Sequence, residues 1–320
     1  MERNRNTMIS ILVTGFNRPD LLEKSIASVL NQGVQCEIFV HLDGPRNYDE
    51  SRLTKKCLEL ISNLKHPNLS LLRYENHDQN LGCKVAMWCA LDWFFSQRSK
   101  GLILEDDIVL LGGALSATEL LLDRFETNME IGQISLSNQI SKNSKSEISY
   151  YLSNYPFIWG WATWRDRWET NIRDLSVPLK TFPETVNAIS ISNQIGKRAF
   201  DYWMKRFESA NRKNIDTWDF QWHFTNWVYG RKTIHFDKVF AVNVGFDFRA
   251  THTKTALKLD LINLKKLTEV QHQNPQIKPK KLSNISIIDR KISSRVFGIP
   301  HWFFHPFKFV KIFLERFSRI

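Results

Sequence analysis

Gly101-Leu102-Ile103-Leu104-Glu105-Asp106-Asp107 is a short apolar run that ends in three consecutive carboxylates. Glycine followed by branched aliphatic residues reads as a buried strand, and the acids stand at its carboxyl end. Carboxylates packed this closely repel one another, and away from water a cation is the usual relief. Hard oxygen ligands on a short loop suit Mg²⁺ or Mn²⁺, which bridge phosphates and keep open coordination positions. The alternative is a solvated turn that caps a following helix.

Upstream, the same pattern repeats. Met8 to Thr14 is an apolar, β-branched run that Asn17-Arg18-Pro19-Asp20 breaks. Asp20 is the expected cap of a helix over Leu21 to Asn31, with Leu22, Ile26, Val29 and Leu30 on one face. Cys36 to Leu42 is a second strand, stopped by Asp43-Gly44-Pro45, and Arg52 to Leu64 has helical spacing. Leu69 to Tyr74 reads as a third strand, Gly82 to Phe95 as a helix, and Gly101 to Leu104 as the fourth strand. Strands that alternate with helices imply βαβ units, hence an α/β fold with a mainly parallel sheet flanked by helices. Ligands of such sheets bind at the carboxyl ends of strands. Phe16-Asn17-Arg18, Asp43 and Glu105-Asp106-Asp107 all fall there.

Further along, residues 135–173 are rich in Trp, Tyr and Asn, and Pro178 to Gly230 is mostly helical in pattern. The chain has 320 residues, 42% of them hydrophobic, with 11 Trp and 22 Phe, so it can bury a large core and disorder is not expected for its bulk. The four cysteines, Cys36, Cys57, Cys83 and Cys89, form no CxxC pair and are expected reduced, as in the cytoplasm. No apolar leader follows Met1-Glu2-Arg3-Asn4-Arg5, and no stretch of about 18 apolar residues marks a spanning helix.

The net charge of +11 is unevenly placed. From Lys254 onward there are 14 Lys/Arg against four acids, while the rest holds 30 against 29. A near-neutral body argues against a nucleic-acid groove. The tail, in contrast, places Phe303, Phe307, Val310, Leu314 and Phe317 on one helical face and Lys308, Lys311, Glu315 and Arg319 on another. Such a basic amphipathic helix suits an anionic membrane surface, which would make the protein peripheral on the inner face of the cell membrane. A helix docked on the protein's own core is the other reading.

The order of these blocks resembles the GT-A fold of nucleotide-sugar glycosyltransferases. Val13-Thr14-Gly15-Phe16-Asn17-Arg18-Pro19 with Ser25-Ile26-Ala27-Ser28-Val29-Leu30 looks like its first βα unit, and Asp43-Gly44 ends the second strand as there. Asn80-Leu81-Gly82-Cys83-Lys84 looks like its turn before the helix under the donor, and Leu104-Glu105-Asp106-Asp107 matches its acidic metal motif. The Glu-Asp-Asp form is similar to the N-acetylglucosaminyltransferases and their bacterial relatives. Tyr155 to Trp164, with Trp159-Gly160-Trp161, looks like the aromatic acceptor-side segment, and Thr217-Trp218-Asp219-Phe220-Gln221-Trp222 like the segment that carries the catalytic base. Eukaryotic members show two adjacent acids there, whereas here Phe220 follows a single Asp219. The likeness covers roughly residues 8–254.

The resemblance implies roles. Asp107 would bind Mn²⁺ or Mg²⁺, with His252 as a second ligand or phosphate contact. Glu105 and Asp106 would contact the ribose or donor sugar, and Asp43 the nucleotide base. Arg18 and Lys84 would neutralise phosphate or hold the acidic loop, with Phe16 and Asn17 beside them. Trp161 would stack on a sugar, although an aromatic core uses the same residues, and Gly160 suggests a tight backbone where a ligand approaches. Asp219 would be the base of an inverting transfer from a UDP-sugar, with N-acetylglucosamine as the sugar and a glycan or lipid-linked hydroxyl as acceptor. Glu169 is the reserve candidate. The division expected is 1–110 for the nucleotide, 111–254 for acceptor and catalysis, and 255–320 as a basic extension. A sugar-1-phosphate nucleotidyltransferase is the nearest rival. Its Gly-rich, basic loop after the first strand is replaced here by Gly15-Phe16-Asn17-Arg18. A non-catalytic carbohydrate- or nucleotide-binding module is the third reading.

Overall fold

A computed structural model describes residues 8–138, 140, 148–212, 215–245, 277–279 and 284–300. His252 and the amphipathic segment from His301 onward lie outside the described residues.

The first half alternates as the sequence predicts: β1 (Ile9–Gly15), α1 (Pro19–Leu30), β2 (Cys36–Leu42), α2 (Tyr48–Ser62), β3 (Leu69–Asn76), α3 (Cys83–Gln97) and β4 (Lys100–Glu105). After it come β5 (Ile108–Leu110), α4 (Ala114–Arg124), β6 (Ile131–Ser135), β7 (Ile148–Ser153) and β8 (Trp161–Trp164). Two short helices, α5 (Arg165–Trp168) and α6 (Pro178–Thr181), precede α7 (Val186–Ile195), α8 (Lys197–Asn211) and α9 (Asp219–Val228). Strands β9 (Lys232–Phe236), β10 (Ala241–Asn243) and β11 (Ile277–Pro279) and a last helix, Ile285–Arg295, complete the described chain.

Nine strands form one sheet in the order β11-β7-β9-β6-β8-β4-β1-β2-β3. Strands β1 to β4 run parallel, and β8 is antiparallel to both its neighbours, β4 and β6. The molecule is therefore α/β with a mostly parallel sheet. The chain goes from β1 outward to β2 and β3, then returns to place β4 on the other side of β1. That reversal opens a crevice beyond the carboxyl ends of β1 and β4.

Period-two alternation sorts the central strands between two cores. Ile11 and Val13, Ile38 and Val40, and Leu102 and Leu104 face the core that α1 and α4 cover. Leu12, Phe39 and Ile103 face the opposite side, where Met87, Leu91 and Phe94 of α3 meet Trp161, Trp168, Trp218 and Trp222. A third core joins α7, α8, α9 and the last helix. That helix is fastened through Asp289, whose buried carboxylate accepts from Ser153 Oγ at 2.6 Å and Asn154 Nδ2 at 2.6 Å. Burial pushes the Asp289 carboxyl up to about 6, against the pull of these donors. Residues 277–279 and 284–300 of the basic stretch are thus built into this fold. Among the described residues no helix is long and apolar enough to cross a membrane.

Two local expectations need correction. Asp20 does not cap α1: Arg18 holds the cap position and Pro19 opens the helix. Proline has its φ preset and no N–H to satisfy, so the helix starts earlier than the acid suggests. Gly160 is tight for a reason other than a ligand. Its φ is +70°, and a Cβ there would lie 2.7 Å from Ala241 Cβ on β10. Gly160→Ala should therefore cost about 1–3 kcal/mol through overpacking and backbone strain, read as a lower urea midpoint. An unchanged midpoint would show that β10 moves aside at no cost.

Candidate active site

A cleft of about 650 Å³ lies beyond the carboxyl ends of β1, β2 and β4. Of the residues singled out by sequence, Phe16, Asn17, Arg18, Asp43, Glu105 and Asp106 line it. The start of α3 supplies Gly82, Cys83, Ala86 and Met87, and Asp216 and Trp218 come from the segment before α9. Strand ends fix the first group because β1 pairs with both β2 and β4.

Arg18 organises the acidic turn. Its Nε donates to Asp106 Oδ2 at 3.1 Å, and its Nη2 pairs with Asp106 Oδ1 and, at 3.0 Å, with Asp107 Oδ2. Burial opposes the guanidinium charge, but the two aspartates more than offset it, so Arg18 stays charged. Part of the repulsion read from sequence is thus relieved by a built-in cation. One arginine against three acids still leaves the turn negative. Burial, then the neighbouring charges of Asp107 and Asp106, push the Glu105 carboxyl up to about 8. Burial raises Asp106 to about 6, against the pull of Arg18.

Asp107 sits beside the cleft wall, 9% exposed, where the β5–β10 ribbon reaches it. Its backbone carbonyl accepts from Val244 N at 2.8 Å, and its Oδ1 accepts from Asn243 Nδ2 at 3.3 Å. Asp43 accepts from the backbone N–H groups of Gly44 and Leu81, both at 2.8 Å, and from Asn80 Nδ2 at 2.8 Å. Helix α3 follows Gly82, φ +79°, a cap residue with no side chain of its own to offer. Uncapped helix N-termini favour anions.

Asp219 is the first residue of α9, half-buried, and accepts from Thr217 Oγ1. Its charge is felt by Glu105 and Cys83 in the cleft wall. Trp218 beside it lines the cleft and stacks on Trp161, with centroids 5.5 Å apart and planes at 24°.

Three expectations change here. Trp161 is 1% exposed and packs beneath Trp218 and Trp222, so the aromatic-core reading holds; Trp218, itself only 2% exposed, is the ring of this stack that borders the cleft. Lys84 stands on the first turn of α3 but is not part of the cleft wall, because that turn faces the cleft with Cys83 and Ala86. Glu169 opens into a separate depression with Asp92, Arg165 and Arg173, so it is not placed to serve this cleft. Sequence reasoning also missed His41, Arg46 and Asp216, which line the cleft. The pair Asp216 and Asp219 flanking Trp218 was a visible signal, since the family resemblance draws attention to a second acid in that segment.

No family model and no curated protein matches the chain. It is similar to solved structures at low level. One is S. aureus TarS, with 14% identity, 44% of this chain and 23% of that one covered, and a TM-score of 0.30. Another is the galactosyltransferase LgtC with donor and acceptor sugar analogues, with 11% identity, 55% and 64% covered, and a TM-score of 0.33. An active-site mutant of LgtC gives the same figures. The chain thus spans under a quarter of TarS and under two thirds of LgtC. At this level the residues of the cleft carry the functional reading.

Proposed function

We propose that the chain is a nucleotide-sugar glycosyltransferase of the GT-A type that inverts the anomeric centre. The donor is a UDP-sugar, with N-acetylglucosamine as the sugar, and the acceptor is a hydroxyl of a glycan or lipid-linked glycan. One observation carries this reading: the crossover between β1 and β4 gathers Arg18, Asp43 and the Glu105-Asp106-Asp107 turn on one cleft, with Trp218 in its wall and Asp219 adjoining.

The residues fit a cation shared with the substrate rather than a cage of their own. Among the described residues no three of His, Cys, Asp and Glu converge on one point. Arg18 engages both Asp106 oxygens and one Asp107 oxygen, while the Glu105 carboxylate accepts no hydrogen bond from the described residues. One or two carboxylates plus phosphate oxygens are the usual set for Mg²⁺ and suit Mn²⁺. Asp107 would hold the ion, with Glu105 facing the sugar. The ion's contribution is to neutralise the departing diphosphate. The chain does the rest. The open start of α3 and Arg18 orient the phosphates, and Trp218 shields one side of the reacting centre. Asp219 takes the acceptor hydroxyl's proton as its oxygen bonds the anomeric carbon and the bond to the diphosphate breaks. A panel of nucleotide sugars tests this. One of them should be hydrolysed or transferred in an Mn²⁺-dependent way, read as released nucleoside diphosphate. No turnover of any would overturn the proposal.

The basic stretch past Lys254 is proposed to meet an anionic membrane surface, which suits an enzyme acting on a lipid-linked glycan. Deleting Pro300 to Ile320 should weaken binding to anionic vesicles and remove its salt sensitivity. Equal binding by the truncated and full chains would place the segment on the protein itself.

A further inference from the structure

On the reading above, the transferred sugar has a restricted place. Its anomeric carbon lies between the diphosphate, on the side of Arg18 and the turn after β4, and Asp219, which takes the acceptor's proton. Glu105 of that turn and Asp219 both act electrostatically on Cys83, on the first turn of α3, so the ring belongs beside Cys83. Burial and, after it, the charges of Glu105, Asp216, Asp219 and Asp43 push the Cys83 thiol up to about 12, so it stays a neutral thiol. Four carboxylates therefore act on the space assigned to the sugar.

The four are not equivalent. Asp43 spends its oxygens on the turn before α3, where Gly44 N, Leu81 N and Asn80 Nδ2 donate to it. Glu105 belongs to the turn after β4, and Asp219 accepts from Thr217 Oγ1 and is the proposed base. Asp216 differs. It is exposed, lines the cleft and accepts no hydrogen bond from the described residues. A Cβ built on Gly82 would lie 3.1 Å from its Oδ2, so this carboxylate leans against the residue before Cys83 and is not turned away from the cleft. The wall supplies no spare cation. Among the described residues its lysine or arginine side chains are Arg18 and Arg46 alone. Arg18 is shared between Asp106 and Asp107, and Arg46 is gripped by the Glu50 carboxylate, its Nε 3.0 Å from Oε1.

We propose that Asp216 is a specificity-determining residue for the transferred sugar, accepting from a hydroxyl or N–H of an uncharged hexose and rejecting a hexuronate. This rests on the nucleotide-sugar reading of the cleft. A carboxylate has lone pairs to satisfy and no proton to give, so sugar hydroxyls and amide N–H groups suit it. A sugar carboxylate beside Asp216 and Asp219 brings like charges together with no free cation among the described residues to separate them. Such a charge, taken out of water without a partner, is costly. A hexose is small enough that a C6 carboxylate lies within Coulomb reach of Asp216 whichever edge of the ring faces it. The rule admits N-acetylglucosamine and excludes the sugars oxidised at C6.

The test is calorimetry of the full chain with Mn²⁺. UDP-glucose is compared with UDP-glucuronic acid, and UDP-galactose with UDP-galacturonic acid, with UDP as the sugar-free reference. Each pair differs only in whether C6 is an alcohol or a carboxylate. In the better-bound pair, wild type should hold the neutral member about tenfold more tightly. Asp216→Asn should shrink that ratio severalfold, and Asp216→Lys should invert it. Dividing each affinity by that for UDP removes the general effect of the altered charge on the diphosphate. Asp216 is exposed and bonds no described residue, so both variants should fold. Uronate binding by wild type as tight as that of the neutral sugar, or a ratio that neither variant moves, overturns the Asp216 assignment while UDP binding stands. If neither UDP nor any of these sugars binds wild type, the cleft reading fails and this inference with it.

Discussion

Asp219→Asn should lower turnover by about 10²–10⁴-fold while donor affinity stays within a few-fold. A base acts in the transition state and adds little to ground-state binding of the donor, whose proposed contacts lie on Arg18 and the acidic turn. The signature is therefore a fall in kcat at nearly constant donor Kd. Asparagine keeps the size of the side chain and an oxygen that Thr217 Oγ1 can still reach, so the start of α9 should survive. The neighbouring rings also hold the segment, since Trp218 stacks on Trp161 and Trp161 packs on Trp222. Near-normal transfer by Asp219→Asn would move the base elsewhere. The next residue to change is then Asp216, exposed on the cleft wall three positions earlier, and not Glu169, which opens into another depression.

The central strands and the place of the cleft were legible because both depend on local pattern. Ile11, Leu12 and Val13 alternate between two cores, as do Ile38, Phe39 and Val40, and a strand buried on both faces reads as an unbroken apolar run. Polar residues at the ends of such runs fall at strand termini, so Phe16-Asn17-Arg18, Asp43 and Glu105-Asp106 could be grouped before any coordinates. What was not legible is pairing. Nothing in Trp161-Ala162-Thr163-Trp164 announces an antiparallel strand between β4 and β6, and residues 277–279 gave no sign of joining β7. Side-chain direction was hidden for the same reason. Trp159-Gly160-Trp161 has the composition of a sugar platform, yet Trp161 serves the core and Gly160 makes room for Ala241. The Arg18 bridge to Asp106 spans 88 positions, and only the β1–β4 pairing brings the two together.

Asp107→Asn should abolish the Mn²⁺-dependent part of donor binding without unfolding the chain. The turn is held mainly by backbone: Val244 N donates to Asp107 O at 2.8 Å, and Gly245 packs so closely on the side chain that a Cβ there would lie 2.3 Å from Oδ2. An amide fills the same space and can still accept from Arg18, so thermal stability should change little. The charge is what is lost. Asp106 and Asp107 against Arg18 leave the turn net negative even with Glu105 protonated, and a diphosphate brought to it without a cation is repelled. Asp107, if it holds the proposed ion, would reverse that sign at the turn and favour the donor. Altering the outer partners of a metal ligand already costs about 10–100-fold in affinity, and removing the ligand's charge should cost at least as much. Metal-free donor affinity should move the other way, rising slightly as one repelling charge disappears. Calorimetry with and without Mn²⁺ separates the two effects. If Asp107→Asn binds the donor as wild type does and responds to Mn²⁺ equally, Asp107 does not hold the ion. Glu105, the carboxylate of the turn that accepts no hydrogen bond from the described residues, then becomes the ligand to change.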